Sequence, residues 1–204
     1  GIDCVTALRG GETRMSDGLS DEAELVKLIR REFADSFTVA VDGAPEGEPL
    51  GSSLEGEITR LKAIQDSGAD FLITRLCWDM DIFHSWLEGI RAAGITLPVM
   101  AGVAPVVDQA ATIRTALATG GCAIPEDLCR LLSDYWIYPN PFVKDPFDAE
   151  VERKRVQFRE AGMAYTAHQI WLYRQWGVDG IHLLTQNRAE DVPAIVRAAR
   201  NPSF

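Results

Sequence analysis

Apolar residues gather in short runs that alternate with longer segments of helical period. The runs at Ile2–Leu8, Phe37–Val41, Phe71–Leu76, Leu97–Ala101 and Gly180–Leu184 have the length and apolar density of strands buried on both faces. Leu25, Leu28, Ile29 and Phe33 recur at helical spacing and mark a first helix that Ser20 is placed to cap. Leu54, Ile58, Leu61 and Ile64 mark a second, stopped near Gly68; a third spans about Asp79–Ala93 and is stopped by Gly94. Val107–Leu117 is helical, and Ile124-Pro125 opens a short helix through Leu132. A long helix from about Ala149 to Trp176 carries Val156, Phe158, Met163, Ile170 and Leu172, with Gly177 as its stop, and Ala189–Arg200 forms the last helix. Trp136–Asp148 holds three prolines and reads as an ordered loop. Its Trp136, Tyr138, Phe142 and Phe147 suit folding back on the domain and a protein contact equally.

Five strands, each followed by a helix, argue an α/β fold with a parallel sheet covered by helices, in one domain over residues 1–204. Periodicity alone does not choose between an open doubly wound sheet and a closed barrel. No GxGxxG or GxxxxGK[ST] loop is present, and Gly10-Gly11 alone is too weak to read as a phosphate loop. A full (β/α)8 barrel takes eight strands, typically in about 250 residues.

Composition narrows the function classes. The 204 residues are 47% hydrophobic and 25% charged, an ordinary globular balance. The formal net charge of −10 disfavours phosphate backbones and anionic lipid headgroups, so nucleic acid and membrane-surface partners are not expected. No apolar run approaches the roughly 20 residues of a membrane span. Cys4, Cys77, Cys122 and Cys129 are scattered and read as reduced, mostly buried thiols. With His84, His168 and His182 equally dispersed, no metal-ligand spacing exists and no metal is expected. The chain opens at Gly1 on a strand-like segment without an initiator Met, which reads as a processed end or a cut.

Several strand ends carry a specific likeness. Ala7-Leu8-Arg9-Gly10 is similar to the ALRGD turn of methylenetetrahydrofolate reductases. Gly68-Ala69-Asp70 followed by Phe71-Leu72-Ile73-Thr74 resembles that family's GAD-x-x-IT-Q strand. Gly102-Val103-Ala104-Pro105-Val106 resembles its PGI-x-P loop, and Ile124-Pro125 its following helix start. His182-Leu183-Leu184-Thr185-Gln186-Asn187-Arg188-Ala189-Glu190 is similar to its HFYTLNRAE ending. Five motifs in register across nearly all 204 residues make the resemblance strong. It implies a partial TIM-type (β/α)8 barrel of five parallel βα units, the family's fourth to eighth strands, with the first three absent. It also implies FAD, which carries a hydride from NAD(P)H to 5,10-methylenetetrahydrofolate, held at the C-terminal ends of the strands.

The likeness fails where the ligands would touch. The ALRGD aspartate corresponds to Gly11, the glutamine after the IT pair to Arg75, and the aromatic and histidine of the YP-x-x-HP loop to Ala44 and Glu48. Basic residues that receive the FAD phosphates correspond to Ala63 and Ile64, beside a surviving Lys62, and the tyrosine of the last strand to Leu184. The family's glutamate proton donor belongs to its first strand. Leu8, Arg9, Gly10, Thr74, Pro105, Thr185, Asn187 and Arg188 remain. The resemblance implies that Leu8, Arg9 and Gly10 meet FAD if it binds, and that Thr74 and Arg188 meet folate if it binds; no catalytic residue is expected. Arg9 equally suits a carboxylate in the barrel mouth, and Arg188 a cap on the last helix. His182 reads as a core or barrel-interior histidine, while Asp79 and Asp81 read as helix-start residues.

The expectation is therefore a degenerate, non-catalytic subunit with a structural role and no cofactor. It would sit in a multi-subunit complex whose other chains cover the open barrel edges. The alternatives are an FAD-dependent methylenetetrahydrofolate reductase, as a fragment or half of a split enzyme, and a flavin-free pterin binder. The family resemblance is compatible with a mitochondrial or a cytoplasmic setting.

Overall fold

The computed structural model describes residues 1–8, 21–47, 53–118, 122–136, 149–185, 187 and 189–200. Five strands, β1 (Cys4–Ala7), β2 (Thr38–Gly43), β3 (Phe71–Thr74), β4 (Val99–Val103) and β5 (Gly180–Leu183), form one sheet in chain order. Pairing is parallel throughout: Cys4 lies opposite Thr38, Ala40 opposite Phe71, Leu72 opposite Val99. Between β4 and β5 the Asp179 amide donates to the Val99 carbonyl at 3.0 Å, and the Leu184 amide to that of Val103 at 2.8 Å. The helices are α1 (Glu22–Phe33), α2 (Leu54–Asp66), α3 (Met80–Ala92), α4 (Gln109–Leu117), α5 (Glu126–Asp134), α6 (Ala149–Gln175) and α7 (Val192–Arg200). The alternation of strand and helix is the expected one.

Local chemistry moves several boundaries. The cap of α1 is Asp21, whose Oδ1 accepts from the Glu24 amide at 2.9 Å, in place of the expected Ser20. The buried face of α1 is Glu22, Ala23 and Val26; Leu25, Leu28 and Ile29 are half-buried and Phe33 is exposed. Helix α4 starts two residues late because Asp108 caps it, accepting from the Ala111 amide at 2.7 Å. The last helix divides into a 3₁₀ turn, Ala189–Asp191, and α7. Gly94 and Gly177 stop α3 and α6 as expected; each sits at positive φ with open space around it, so backbone freedom is what the position demands.

The chain divides into two compact units. The first, residues 1–75, 81–102 and 178–182, holds most of the sheet and packs Val26, Val39, Val41, Leu61, Ile64, Leu72, Phe83, Trp86 and Ile90 in its core. Two aspartates tie its strands at their N-terminal ends. Asp70, just before β3, accepts from the Val39 amide of β2 at 2.6 Å, while its own amide donates to the Val39 carbonyl at 2.9 Å. Asp179, just before β5, does the same to Val99 of β4, accepting at 2.8 Å and donating at 3.0 Å. The second Gly-x-Asp, Gly177-Val178-Asp179, thus repeats the structural work of Gly68-Ala69-Asp70.

The second unit, residues 76–80, 103–177 and 183–204, packs Trp78, Ala104, Val106, Leu128, Leu132 and Phe158 in one cluster. Helix α6 approaches the segment after β4 so closely that a Cβ on Gly162 would lie 1.7 Å from the Val106 carbonyl oxygen. Thr166, one turn on, accepts from the Val106 amide at 3.0 Å and donates to the Gly162 carbonyl at 2.8 Å. Among the described residues no helix is long and apolar enough to cross a membrane.

Gly162→Ala must push α6 off Val106 and break the Thr166 bond. It is expected to cost about 1–3 kcal/mol or more, as overpacked cores do. Thermal unfolding of the native protein against Ala164→Ser, an exposed control on the same helix, measures it.

Candidate functional site

In a parallel β/α protein the loops at the C-terminal ends of the strands collect the chemistry. In the first unit these ends hold an ionic cluster built from three elements. Asp42 comes from the end of β2, Glu57 and Arg60 from α2, and Glu22 from the first turn of α1. Arg60 faces Glu57 with two bonds, Nε to Oε2 at 2.8 Å and Nη2 to Oε1 at 2.9 Å. Its Nη1 donates to Glu22 and reaches Asp42 Oδ1 at 3.3 Å, and Nη2 donates to the Asp42 carbonyl at 2.8 Å. Arg75, which follows β3, donates from Nε to Asp42 Oδ2 at 2.7 Å. Glu57 Oε1 also accepts from the Ala44 amide at 2.9 Å.

The carboxylates of Glu22 and Glu57 are 3% and 1% exposed, so water screens them little. Burial and the neighbouring Asp42 push Glu22 up to about 7, against the pull of Arg60. Burial would raise Asp42 too, but the hydrogen bond from Glu22 and the guanidiniums of Arg60 and Arg75 hold it below its ordinary value. Burial works against the charge on Arg60, yet Glu57, Glu22 and Asp42 outweigh it and raise its pKa.

These residues do not fit a flavin pyrophosphate. Such a group needs cations or free backbone donors. Arg60 and Arg75 are committed to carboxylates, the Ala44 amide to Glu57, and Ile64 is buried in the core. Lys62, on α2, is exposed.

The expected ligand residues fare as follows. Thr74 is buried, and its Oγ1 accepts from the Gly102 amide at 2.9 Å, a bond between adjacent strands. A Cβ on Gly102 would lie 2.3 Å from the Thr74 carbonyl oxygen, so this pair is held at close quarters. Leu8 is exposed just beyond β1. Arg9, Gly10 and Arg188 lie outside the described residues, as do Gly11, Glu48, Tyr138, Phe142 and Phe147. Asn187 takes the left-handed conformation, φ 64°. His182 is exposed on β5, contrary to the core reading, because β5 is an end strand of the sheet and is only partly covered. All four cysteines are free; Cys77 and Cys122 are buried, but Cys4 and Cys129 are exposed, so the expectation of mostly buried thiols holds for half of them.

In the second unit Pro105, Leu184 and Thr185 do come together. With Trp78, Val107, Thr112 and Thr115 they line a small open pocket. Trp78 is buried, and its Nε1 has no hydrogen-bond partner among the described residues. Sequence reading passed over Trp78 because a lone Trp after a strand carries no motif. Close by, Gln169 Nε2 and the Tyr173 hydroxyl both donate to the Cys77 carbonyl, at 2.8 and 3.2 Å. Burial raises the Tyr173 phenol well above its ordinary value, so it stays a neutral donor.

Comparison with known proteins follows the same line. The family model "Methylenetetrahydrofolate reductase" matches residues 1–200, and the chain belongs to that family. It is 34% identical to "Methylenetetrahydrofolate reductase 1" of Schizosaccharomyces pombe over 122 residues, 57% of this chain and 20% of that protein. It is 26% identical to "5,10-methylenetetrahydrofolate reductase" of Escherichia coli over 190 residues, 93% of this chain and 58% of that one. The chain therefore spans about a fifth of the fungal relative and somewhat over half of the bacterial one. Among solved structures it resembles an uncharacterized protein from Clostridium thermocellum that binds two copies of 5-methyl-5,6,7,8-tetrahydrofolic acid. That likeness has a TM-score of 0.57 at 15% identity, over 98% of this chain and 64% of that one, and concerns the fold alone.

Arg60→Met removes the cation from three carboxylates at once. Breaking a buried ion network from one side costs about 3–5 kcal/mol. Arg130→Met, which loses only an exposed pair with Glu126, should cost at most about 1 kcal/mol. Chemical denaturation of both variants reads the difference.

Proposed function

We propose that this chain is a non-catalytic part of a methylenetetrahydrofolate reductase-type barrel, with a structural role in a larger protein assembly. The observation that carries the reading is the ionic cluster around Arg60. At strand ends where the family places flavin and folate, the polar groups of β2, α2 and the residue after β3 bind one another instead. A glutamine's neutral fork is replaced by Arg75, a permanent cation that Asp42 holds.

The competing reading is an FAD-dependent reductase of which this chain is one portion, and the family match across residues 1–200 favours it. The visible spectrum of the native protein separates the two. The expected result is no stoichiometric flavin and no NAD(P)H-dependent reduction of an electron-accepting dye. A bound flavin band with turnover would overturn the non-catalytic reading. Arg75→Gln, which restores the family residue, should recover neither, since the groups that hold a cofactor act together.

The assembly follows from the end strands. Cys4 and Thr6 of β1 are exposed, Ile2 and Leu8 beside it are 74% and 58% exposed, and β5 is only partly covered. Uncovered strand edges template association with other chains. Residues 1–204 expressed alone should bind a hydrophobic dye or self-associate, and a covering chain should abolish both. A monodisperse, cooperatively melting monomer of this stretch would count against the structural role.

A further inference from the structure

The tripeptide Gly-x-Asp stands directly before three strands: Gly1-Ile2-Asp3 before β1, Gly68-Ala69-Asp70 before β3 and Gly177-Val178-Asp179 before β5. In the last two cases the aspartate clasps one residue of the strand that precedes it in the sheet. Asp70 accepts from the Val39 amide of β2 at 2.6 Å and returns its own amide to the Val39 carbonyl at 2.9 Å. Asp179 does the same with Val99 of β4, at 2.8 and 3.0 Å. Both clasped residues are buried valines. Asp3 holds the same place on β1, but β1 is an end strand. Among the described residues its carboxylate has no hydrogen bond or ion pair. Its carbonyl is engaged on the β2 side, by the Thr38 amide at 2.9 Å. Ile2, the middle residue, is 74% exposed, whereas Ala69 is buried and Val178 half-buried.

We propose that Asp3 is a third clasp, and that it receives a parallel strand of a partner chain along the free edge of β1. The partner that fits is an extended apolar segment with a β-branched residue, never proline, opposite Asp3. That residue gives its amide N–H to the Asp3 carboxylate and accepts from the Asp3 amide, as Val39 does for Asp70 and Val99 for Asp179. An ionised acceptor makes the stronger bond to such an amide. The inference rests on the structural role proposed above and adds what the assembly must bring: a strand of stated direction and register. Direction follows from β2 and β3, which pair in parallel around the Asp70 clasp. Register follows from the same pair: Ala40, after the clasped Val39, lies opposite Phe71, after Asp70. The residue after the partner's clasped one therefore lies opposite Cys4. The sheet runs in chain order from β1 to β5, so the incoming strand continues an existing ladder.

Disulfide trapping on the full chain tests this. Cys4 is exposed on β1 and Cys129 on α5, so Cys129→Ser leaves Cys4 as the exposed thiol among the described residues. The probe is a synthetic peptide copying Phe37–Gly43, the segment that Asp70 clasps at Val39. Three versions carry Thr38→Cys, Ala40→Cys or Asp42→Cys, which alternate onto one face of the strand. Each is offered as a mixed disulfide for thiol exchange with Cys4. The clasp brings position 40 of the peptide opposite Cys4.

Linkage from position 40 should exceed that from 38 or 42 by about tenfold, the order of one hydrogen bond to a charged group. Asp3→Ala should erase the preference. So should an N-methyl group on the Val39 amide of the peptide, an arm that leaves the protein untouched. An N-methyl group on the peptide's Asp42 amide, which points to the other edge, should leave the preference intact. Equal linkage from all three positions, or none, overturns the clasp. So does a preference that survives both Asp3→Ala and the Val39 N-methyl group. A Cys4–Cys4 dimer formed without peptide puts a second copy on the edge and overturns it too. Bound flavin with turnover would refute the structural role yet leave the preference for position 40 standing, so the two failures read apart.

Discussion

One guanidinium fixes the C-terminal ends of the first unit. Arg60 is the point where α1, β2 and α2 meet through charge, and each partner is nearly removed from water. A guanidinium suits this place because its planar fork serves Glu57 with two bonds and still presents Nη1 to two further carboxyls. An ammonium, a point charge on a flexible stem, could not hold three directions at once. Ion clusters of this kind are weak evidence for stability, since desolvation offsets most of the attraction. What the cluster does show is a tie of α1 to β2, α2 and the residue after β3 through five side chains. The same groups are then unavailable for a ligand.

The family residues that persist do not argue for the family chemistry by themselves. Thr74 is retained from the IT pair, and its hydroxyl oxygen is occupied by the Gly102 amide at a point where the strands are too close for any side chain on Gly102. Asp70, from the GAD motif, secures the Val39 amide. Both residues have reasons to stay that concern the sheet alone. Where ligand contacts would need Gln, Tyr or His, the sheet makes no such demand, and there the chain has Arg75, Leu184, Ala44 and Glu48.

The fold was legible because the strands of a parallel sheet read as short, bare apolar runs, and the chain has five, although β1 and β5 are only partly covered. Boundaries moved by at most two residues at strand ends, where pairing rather than composition decides. The polar interior was not legible. Glu57 is among the most buried side chains of α2, yet neither it nor Arg60 stands out in the apolar pattern. A hydrophobic pattern assigns every charged residue to the solvent side. It has no term for a carboxylate whose cation arrives from elsewhere, and Glu22 and Asp42 meet Arg60 across 38 and 18 residues of chain. The second strand-tying aspartate, Asp179, also precedes a strand, but Gly177-Val178-Asp179 was read only for Gly177 as a helix stop.

A carboxyl group with a raised pKa at the strand ends of a β/α protein ordinarily invites a catalytic reading, that of a general acid poised near neutrality. Glu22 does not support one. A general acid must reach the atom it protonates, directly or through one water, and this side chain is 3% exposed and bonded to Arg60 within the protein. Its neighbours among the described residues include the carboxyl of Asp42 and the Arg60 guanidinium that also holds Glu57. The raised pKa is a consequence first of burial and then of Asp42, against the pull of Arg60.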